Sequence, residues 1–481
     1  MFTPKPQLTS DTPLRSSSPP IVHISREIRR SSKVNDAYSA ALDEHGPVII
    51  VPRHGRNEYV IDHRYAHEVL TDTKNFNFEK GVSKLLHIRF LALFDSETFV
   101  QDIDSLVAKN VQPRMNAIIE KIFPIFQEYF DVMEGEIRDL TAGRKPFEFP
   151  DVLRRLQLAV AHAMVVMVLG PQYASPRTAG YFADVAVAMT RLTGLRENTE
   201  AWVMFPWLWV LWNAFRAMFF TIIPFFFTIM PALWASRRAH FQNDLVARRG
   251  DFVPLFDTLL TKRFHEKSGL FATVAVFRCA VLCVGLIFAS IHQTVVAGSW
   301  MLVKLTEKQE EYLPAIRREW ESVCCPGESL NVTKLSQLTL LDSFVREVFR
   351  TKGDTWSTIR QTTRPVRVGP HVLPKHATCL VLASRVHRHP DNYGTTGDVF
   401  DGFRWAKEGR PTVQGSPEFL AFGMGKWACP GRHLAMHEIK IVLYMFFTKF
   451  DIRLKENSFR ISDPMNTTSI APEATFLLAC K

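Results

Sequence analysis

The sequence predicts a mainly α-helical protein with a smaller β region near its N-terminus. Apolar residues recur at three- and four-residue spacing near 103–140, 152–170 and 176–193, and again through the second half as far as about residue 350. Runs with strand character are short and few, the clearest being Val48-Ile49-Ile50-Val51 and Tyr59-Val60-Ile61. No Gly/Ser linker, internal repeat or change of composition divides the chain from residue 35 to residue 481, so that stretch is expected to form one large domain.

In chain order, residues 1–34 are rich in Ser, Thr, Pro and Arg, without an apolar run of signal or anchor length, and read as an unstructured leader. Gly46-Pro47 then opens a β-hairpin, and a helix is expected from Arg64. The segment 279–303 carries no charge apart from His292. Its length would cross a bilayer, but the polar trio His292-Gln293-Thr294 at mid-segment favours a long helix buried in a soluble core. Trp202 to Trp234 is dense in Trp and Phe and broken by Arg216, Pro224 and Pro231, which favours a surface dipping into a membrane over a span. Strand-like pieces follow at Arg364–Val368 and Thr378–Ala383, and a last long helix after Cys429.

Composition narrows the function classes. With 47% hydrophobic and 22% charged residues among 481, the chain is globular and large enough to enclose a cofactor. Its seven cysteines lack the even spacing of a disulfide scaffold or of paired zinc ligands, which fits a reducing, cytosol-facing compartment. A net charge of +10 suits an acidic partner or an anionic membrane. No basic stripe interleaved with aromatics is present, so nucleic acid is not an expected partner.

The segment Phe422-Gly423-Met424-Gly425-Lys426-Trp427-Ala428-Cys429-Pro430-Gly431-Arg432 carries the chemistry. A thiolate beside a metal is best held in a tight loop whose N–H groups face the sulfur. Gly425 and Gly431 allow such a turn, Phe422 can cover the sulfur, and a helix starting near Pro430 would lower the thiol pKa. A buried thiol beside a glycine-rich turn is the other reading of the same residues. The pattern F-x-x-G-x-x-x-C-x-G at Phe422, Gly425, Cys429 and Gly431 resembles the haem-binding loop of the cytochromes P450. Trp427 departs from it, because the family usually places His or Arg there against a haem propionate, and an indole brings one N–H but no charge.

Glu347 and Arg350 share a helix face, and alone would be a surface ion pair of little consequence. Ahead of the cysteine loop they resemble the family's E-x-x-R helix, with Arg404 in Phe403-Arg404-Trp405 similar to the third member of its structural triad. Arg360 is a candidate for a haem propionate, on the capacity of arginine for charge-assisted pairs with carboxylates; an exposed strand-edge arginine is the alternative. Lys109 and Arg114 are weaker candidates, since the Trp and Arg that the family carries on its third helix are not recognisable here. Phe288-Ala289-Ser290-Ile291-His292-Gln293-Thr294 resembles the family's distal, proton-delivering helix, with His292 in place of the acid, Gln293 in place of the first Thr, and Thr294 as the nearest hydroxyl. A satisfied core histidine is the alternative for His292.

The resemblance implies a mainly helical, triangular fold from about residue 35 onward and a haem b ligated by Cys429. The reaction it implies is insertion of one oxygen atom from dioxygen into an apolar secondary metabolite such as a terpenoid, alkaloid or polyketide. Electrons would come from NADPH through a flavin reductase, on the cytosolic face of the endoplasmic reticulum membrane, as in similar fungal microsomal enzymes. Two alternatives stay open: a haem-thiolate isomerase or dehydratase acting on a hydroperoxide, which Gln293 supports, and a non-catalytic haem-binding relative.

Overall fold

A computed structural model describes residues 18–25, 37–53, 56–85, 99–141, 146–149, 151–192, 206–241, 252–264, 270–324, 328, 330–462 and 466–481. The strands are β1 (Val48–Arg53), β2 (Arg56–Ile61), β3 (Phe76–Asn77), β4 (Phe147–Phe149), β5 (Ser357–Thr362), β6 (Val366–Val368), β7 (His371–Leu373), β8 (Thr378–Leu382), β9 (Phe450–Leu454) and β10 (Phe476–Cys480). The helices that build the core and the site are α1 (Phe99–Leu106), α2 (Met115–Thr141), α3 (Val152–Leu169), α4 (Pro176–Leu192), α5 (Pro206–Ala217), α6 (Ile223–Phe241), α7 (Leu270–Glu307), α8 (Thr339–Thr351) and α9 (Arg432–Lys449).

The expected hairpin forms, with Val48 opposite Ile61 and Ile50 opposite Tyr59. It is one edge of a five-stranded sheet in the order β1-β2-β8-β5-β3, so strands more than 290 residues apart in sequence are neighbours. Residues Pro20 to Ile24 also belong to this body, contrary to the unstructured leader expected there. Ile50 donates its N–H to Pro20 and Val22 donates to Ile50, both at 2.8 Å, while Val22 and Ile24 are buried. Their alternating apolar side chains give this short piece a face to bury.

The helical body is organised on α7, which packs against α3, α4 and α9. Helix α3 begins where the Asp151 carboxylate accepts the Arg154 N–H at 2.9 Å, a cap of the kind that contributes about 1 kcal/mol. It ends at Gly170, whose φ of 104° places it in the left-handed region that favours glycine. The described part of the aromatic segment is continuous helix from Pro206 to Phe241, with a π turn at Met218–Ile222, rather than a chain interrupted at its prolines. Pro224 comes two residues after that π turn ends, in the first turn of α6. Leu211, Trp212, Phe215, Phe219, Phe220 and Phe227 are exposed along it, whereas Phe225 is wholly buried.

Candidate active site

The cysteine loop is closed by its own backbone. Gly423 donates to Leu420 at 2.8 Å, Ala428 to Gly425 at 3.2 Å and Cys429 to Phe422 at 2.8 Å. The left-handed positions are Gly423 (φ 70°) and Gly425 (φ 69°). Gly431 lies in the turn as expected, with an ordinary φ of −84°, and a Cβ there would stand in ordinary contact with the Cys429 sulfur, at 4.0 Å. Helix α9 begins immediately afterwards at Arg432. Burial pushes the Cys429 thiol up, and the N–H groups of Gly431 and Arg432 together with the Arg432 charge oppose that rise without overcoming it. The expected lowering by the helix end is therefore present as a contribution and outweighed by desolvation.

Cys429 lines a cavity of about 630 Å³ together with the middle of α7, which places Ala289, Ser290, Gln293, Thr294 and Ala297 on its wall. The remaining wall is almost entirely hydrocarbon, including Met189, Met218 and Phe226. His292 is not among these residues, which corrects the expectation that it stands beside the distal pocket. It lies on another face of α7, stacks on Phe288 with ring centroids 5.8 Å apart, and approaches the Thr190 hydroxyl at 3.3 Å. There it lines a separate, more polar cavity of about 720 Å³ with Gln157 and Ser299. At this level of α7 the cavity meets the face carrying residues 289, 290, 293, 294 and 297, which leaves 292 out, although two to three turns earlier it is lined by Gly285 and Val281, which share the phase of 292.

Two buried N–H donors in the first cavity lack partners, as does the Thr358 hydroxyl. The Trp427 indole N–H and the Arg360 Nε are both enclosed without a hydrogen bond. Arg360 spends its other N–H groups on the carbonyls of Ile359 at 2.8 Å and Leu70 at 3.3 Å, and its guanidinium lies over the Phe78 ring at 5.3 Å. It is 2% exposed, and burial pulls its pKa down to about 10, so it is not the strand-edge arginine of the alternative reading. A buried cation and an orphaned indole N–H beside a thiol, within an apolar cavity, fit a flat apolar cofactor bearing carboxylates, as haem does. Lys109 and Arg114 do not line this cavity. Helix α1 presents Asp104 instead, whose carboxyl is pushed up to about 6 by burial and by the nearby Glu79 charge.

Behind the loop, Glu347 and Arg350 of α8 are wholly buried and doubly bonded, Nη2 to Oε1 at 2.6 Å and Nε to Oε2 at 2.9 Å. Glu347 also accepts the Trp405 indole N–H at 2.9 Å and the Asp401 backbone N–H at 3.1 Å. Arg404 comes within 3.5 Å of Glu347 through a Nε that makes no hydrogen bond, and bonds Thr396 and Val399 instead. Two further residues tie α8 to the loop without having been singled out in the sequence. Arg346 bonds the carbonyls of Pro411 and Gln414 and lies over the rings of Trp405 and Phe419. His387 accepts the Leu420 N–H on Nε2 at 2.7 Å, which leaves Nδ1 to donate to the Phe349 carbonyl. Burial holds this imidazole well below its ordinary range. Neither residue belongs to a motif, and only the fold brings them to the loop.

Comparison with known proteins agrees with this geometry. The family model described as "Cytochrome P450" matches residues 15–478. A "Cytochrome P450 monooxygenase BOA7" of Botryotinia fuckeliana (strain B05.10) is 33% identical over 208 residues, which are 38% of this chain and 39% of that protein. A "Cytochrome P450 monooygenase 3" of Gibberella fujikuroi is 31% identical over 195 residues, 35% of this chain and 37% of the relative. These matches span well under half the length of either relative. The solved structure "Retinoic acid bound cyanobacterial CYP120A1" aligns with a TM-score of 0.67 over 97% of this chain and 100% of that one, and at 16% identity this is a likeness of fold.

Proposed function

The chain belongs to the cytochrome P450 family, whose members carry a thiolate-ligated haem, and on that premise we propose that it is a monooxygenase acting on an apolar small molecule. The observation that carries the reading is the sharing of one hydrocarbon-lined cavity by the Cys429 thiol and the Gln293–Thr294 pair. When bound, the haem supplies activation of dioxygen and transfer of one oxygen atom. Cys429 would hold its iron, Phe422 and Gly431 would shape the surroundings of the sulfur, and Arg360 and Trp427 would receive its carboxylates. The apolar wall binds substrate by excluding water and offers little to a charged one. Thr294 would pass protons into the cavity and Gln293 would position water there, roles that His292, facing away, cannot share. The Glu347, Arg350 and Arg404 cluster keeps α8 against the loop and has no part in chemistry.

Electrons would arrive from NADPH through a flavin reductase. The exposed aromatic face of α5 and α6 suits peripheral attachment to a membrane, for which we take the cytosolic face of the endoplasmic reticulum. A terpenoid, alkaloid or polyketide fits the lining. The test is the reduced carbon monoxide spectrum of the purified protein, followed by NADPH, dioxygen and product measured together with a reductase present. Product formed anaerobically from a hydroperoxide, without reductant, would overturn the monooxygenase reading in favour of an isomerase.

A further inference from the structure

Away from the cavity, three ligand-bearing side chains meet on the rim of the five-stranded sheet. His63 follows β2, while His389 and Asp391 lie more than 320 residues later in the chain. Their donor atoms all lie within 4.8 Å of one another. The imidazoles of His63 and His389 stack with centroids 3.6 Å apart and planes 27° from parallel.

Neighbouring groups hold the rings. His63 Nδ1 lies 2.9 Å from Asp62 Oδ1 without a hydrogen bond, and the ring's hydrogen bond runs through Nε2 to Asp391 Oδ2 at 2.9 Å. Asp62 is itself buried and held by the Arg64 N–H, the Arg64 Nε and the Arg385 Nε at 3.0–3.1 Å. On His389, Nδ1 accepts the Asp391 backbone N–H at 3.2 Å and lies 3.5 Å from the same Oδ2. Both imidazoles thus converge on one carboxylate oxygen, Asp391 Oδ2.

We propose that His63, His389 and Asp391 form a binding site for a divalent transition-metal ion of the zinc class. Two imidazoles and a carboxylate match the ligand preferences of such ions, and binding one would turn the partly exposed His389 ring out of its stack on His63. The carboxylate of Asp62 behind the buried His63 is the outer partner that fixes ring orientation in many zinc sites. Asp391 is exposed, so an ion has an entry path and a position open to water. The bound ion would staple the turn after β2 to the segment that also carries His387, on which the cysteine loop rests.

The experiment uses the full-length haem-loaded protein. After equilibration with zinc and dialysis, metal analysis should show about one zinc per chain beyond haem iron, as expected of a single three-ligand site. His389→Ala and Asp391→Asn, both at the surface, should lose that zinc while keeping full haem content and an unchanged visible spectrum. Added zinc should raise the melting temperature of the unaltered protein and leave that of either variant where it was. If the unaltered protein retains no zinc, or both variants retain as much as it does, the trio is a protonated imidazole between carboxylates and the proposal fails.

Discussion

Trp405 donates its indole N–H to the same Glu347 oxygen that Arg350 Nε reaches, each at 2.9 Å. The buried carboxylate is thereby satisfied by Arg350, Trp405 and the Asp401 N–H, with the Arg404 charge at its margin. Glu347→Ala would leave Arg350 charged and unpaired, at about 3–5 kcal/mol. Trp405→Phe would remove one donor from a buried charge, at about 1–3 kcal/mol. Arg404→Ala would remove an ion pair without a hydrogen bond, at about 0–1 kcal/mol. Urea unfolding and haem content of the three variants should rank in that order. An Arg404 variant as damaged as the Glu347 variant would restore Arg404 as the principal partner.

That ranking also marks where sequence reasoning ends. The helices 152–169 and 176–192, the hairpin and the cysteine loop were legible because each carries its own periodicity or local motif. Choosing Trp405 over Arg404 as the hydrogen-bond donor was not, since both flank the same turn and only rotamers decide. The face of α7 was illegible for a different reason. Around its polar trio the stretch is apolar on every side, so the pattern gives no phase, and His292 and Gln293 differ by a single 100° step. Arg346 and His387 were missed because their partners are backbone carbonyls and amides of distant loops, which no spacing encodes.

Cys429→Ser should remove thiolate ligation, because a neutral hydroxyl cannot replace a sulfur anion as axial donor. Cys283 and Cys379 are fully buried, with thiols that burial pushes well up, and neither lines the cavity. No substitute thiolate is therefore available there. The strongly red-shifted band of the reduced carbon monoxide complex should disappear in the variant; its persistence would move the ligand elsewhere.

Membrane attachment should depend on the outward side of α5 and α6 alone. Phe220 and Phe227 are 72% and 75% exposed, so replacing both with Ser should release the protein from vesicles in flotation without changing its melting temperature. Phe225 is packed edge-on against Phe182 in the core. Phe225→Ser should destabilise by roughly 3–5 kcal/mol, as large-to-small core changes do. Equal flotation of the double variant and the unaltered protein would rule this face out as the attachment surface.

Glu438, on the α9 face that lines the cavity, predicts a pH dependence. Burial pushes its carboxyl up to about 8 from an ordinary value near 4.5. The folded protein then holds a proton that the unfolded chain has released, so this group's contribution is intact below about 4.5 and is lost as pH rises through about 8. Glu438→Gln, neutral throughout, should flatten the fall of melting temperature between these limits. Parallel curves for the two proteins would show that the carboxyl is ionised or solvated in the folded state.

The sharpest test lies on α7, where neighbouring residues face different cavities. Gln293 and Thr294 line the cavity of Cys429, so Thr294→Ala and Gln293→Ala should divert electrons from product to hydrogen peroxide, general acid assistance being worth about 10²–10⁴-fold. His292 faces Thr190 and the second cavity, so His292→Ala should leave the ratio of product to NADPH consumed unchanged. Its cost should appear instead as a modest loss of stability from the missing stack on Phe288. NADPH, peroxide and product would be measured together for the unaltered protein and the three variants. Uncoupling by His292→Ala with coupling retained in the Thr294 and Gln293 variants would require the face of α7 that carries His292 to deliver protons, and would overturn the assignment of the first cavity as the site of oxygen chemistry.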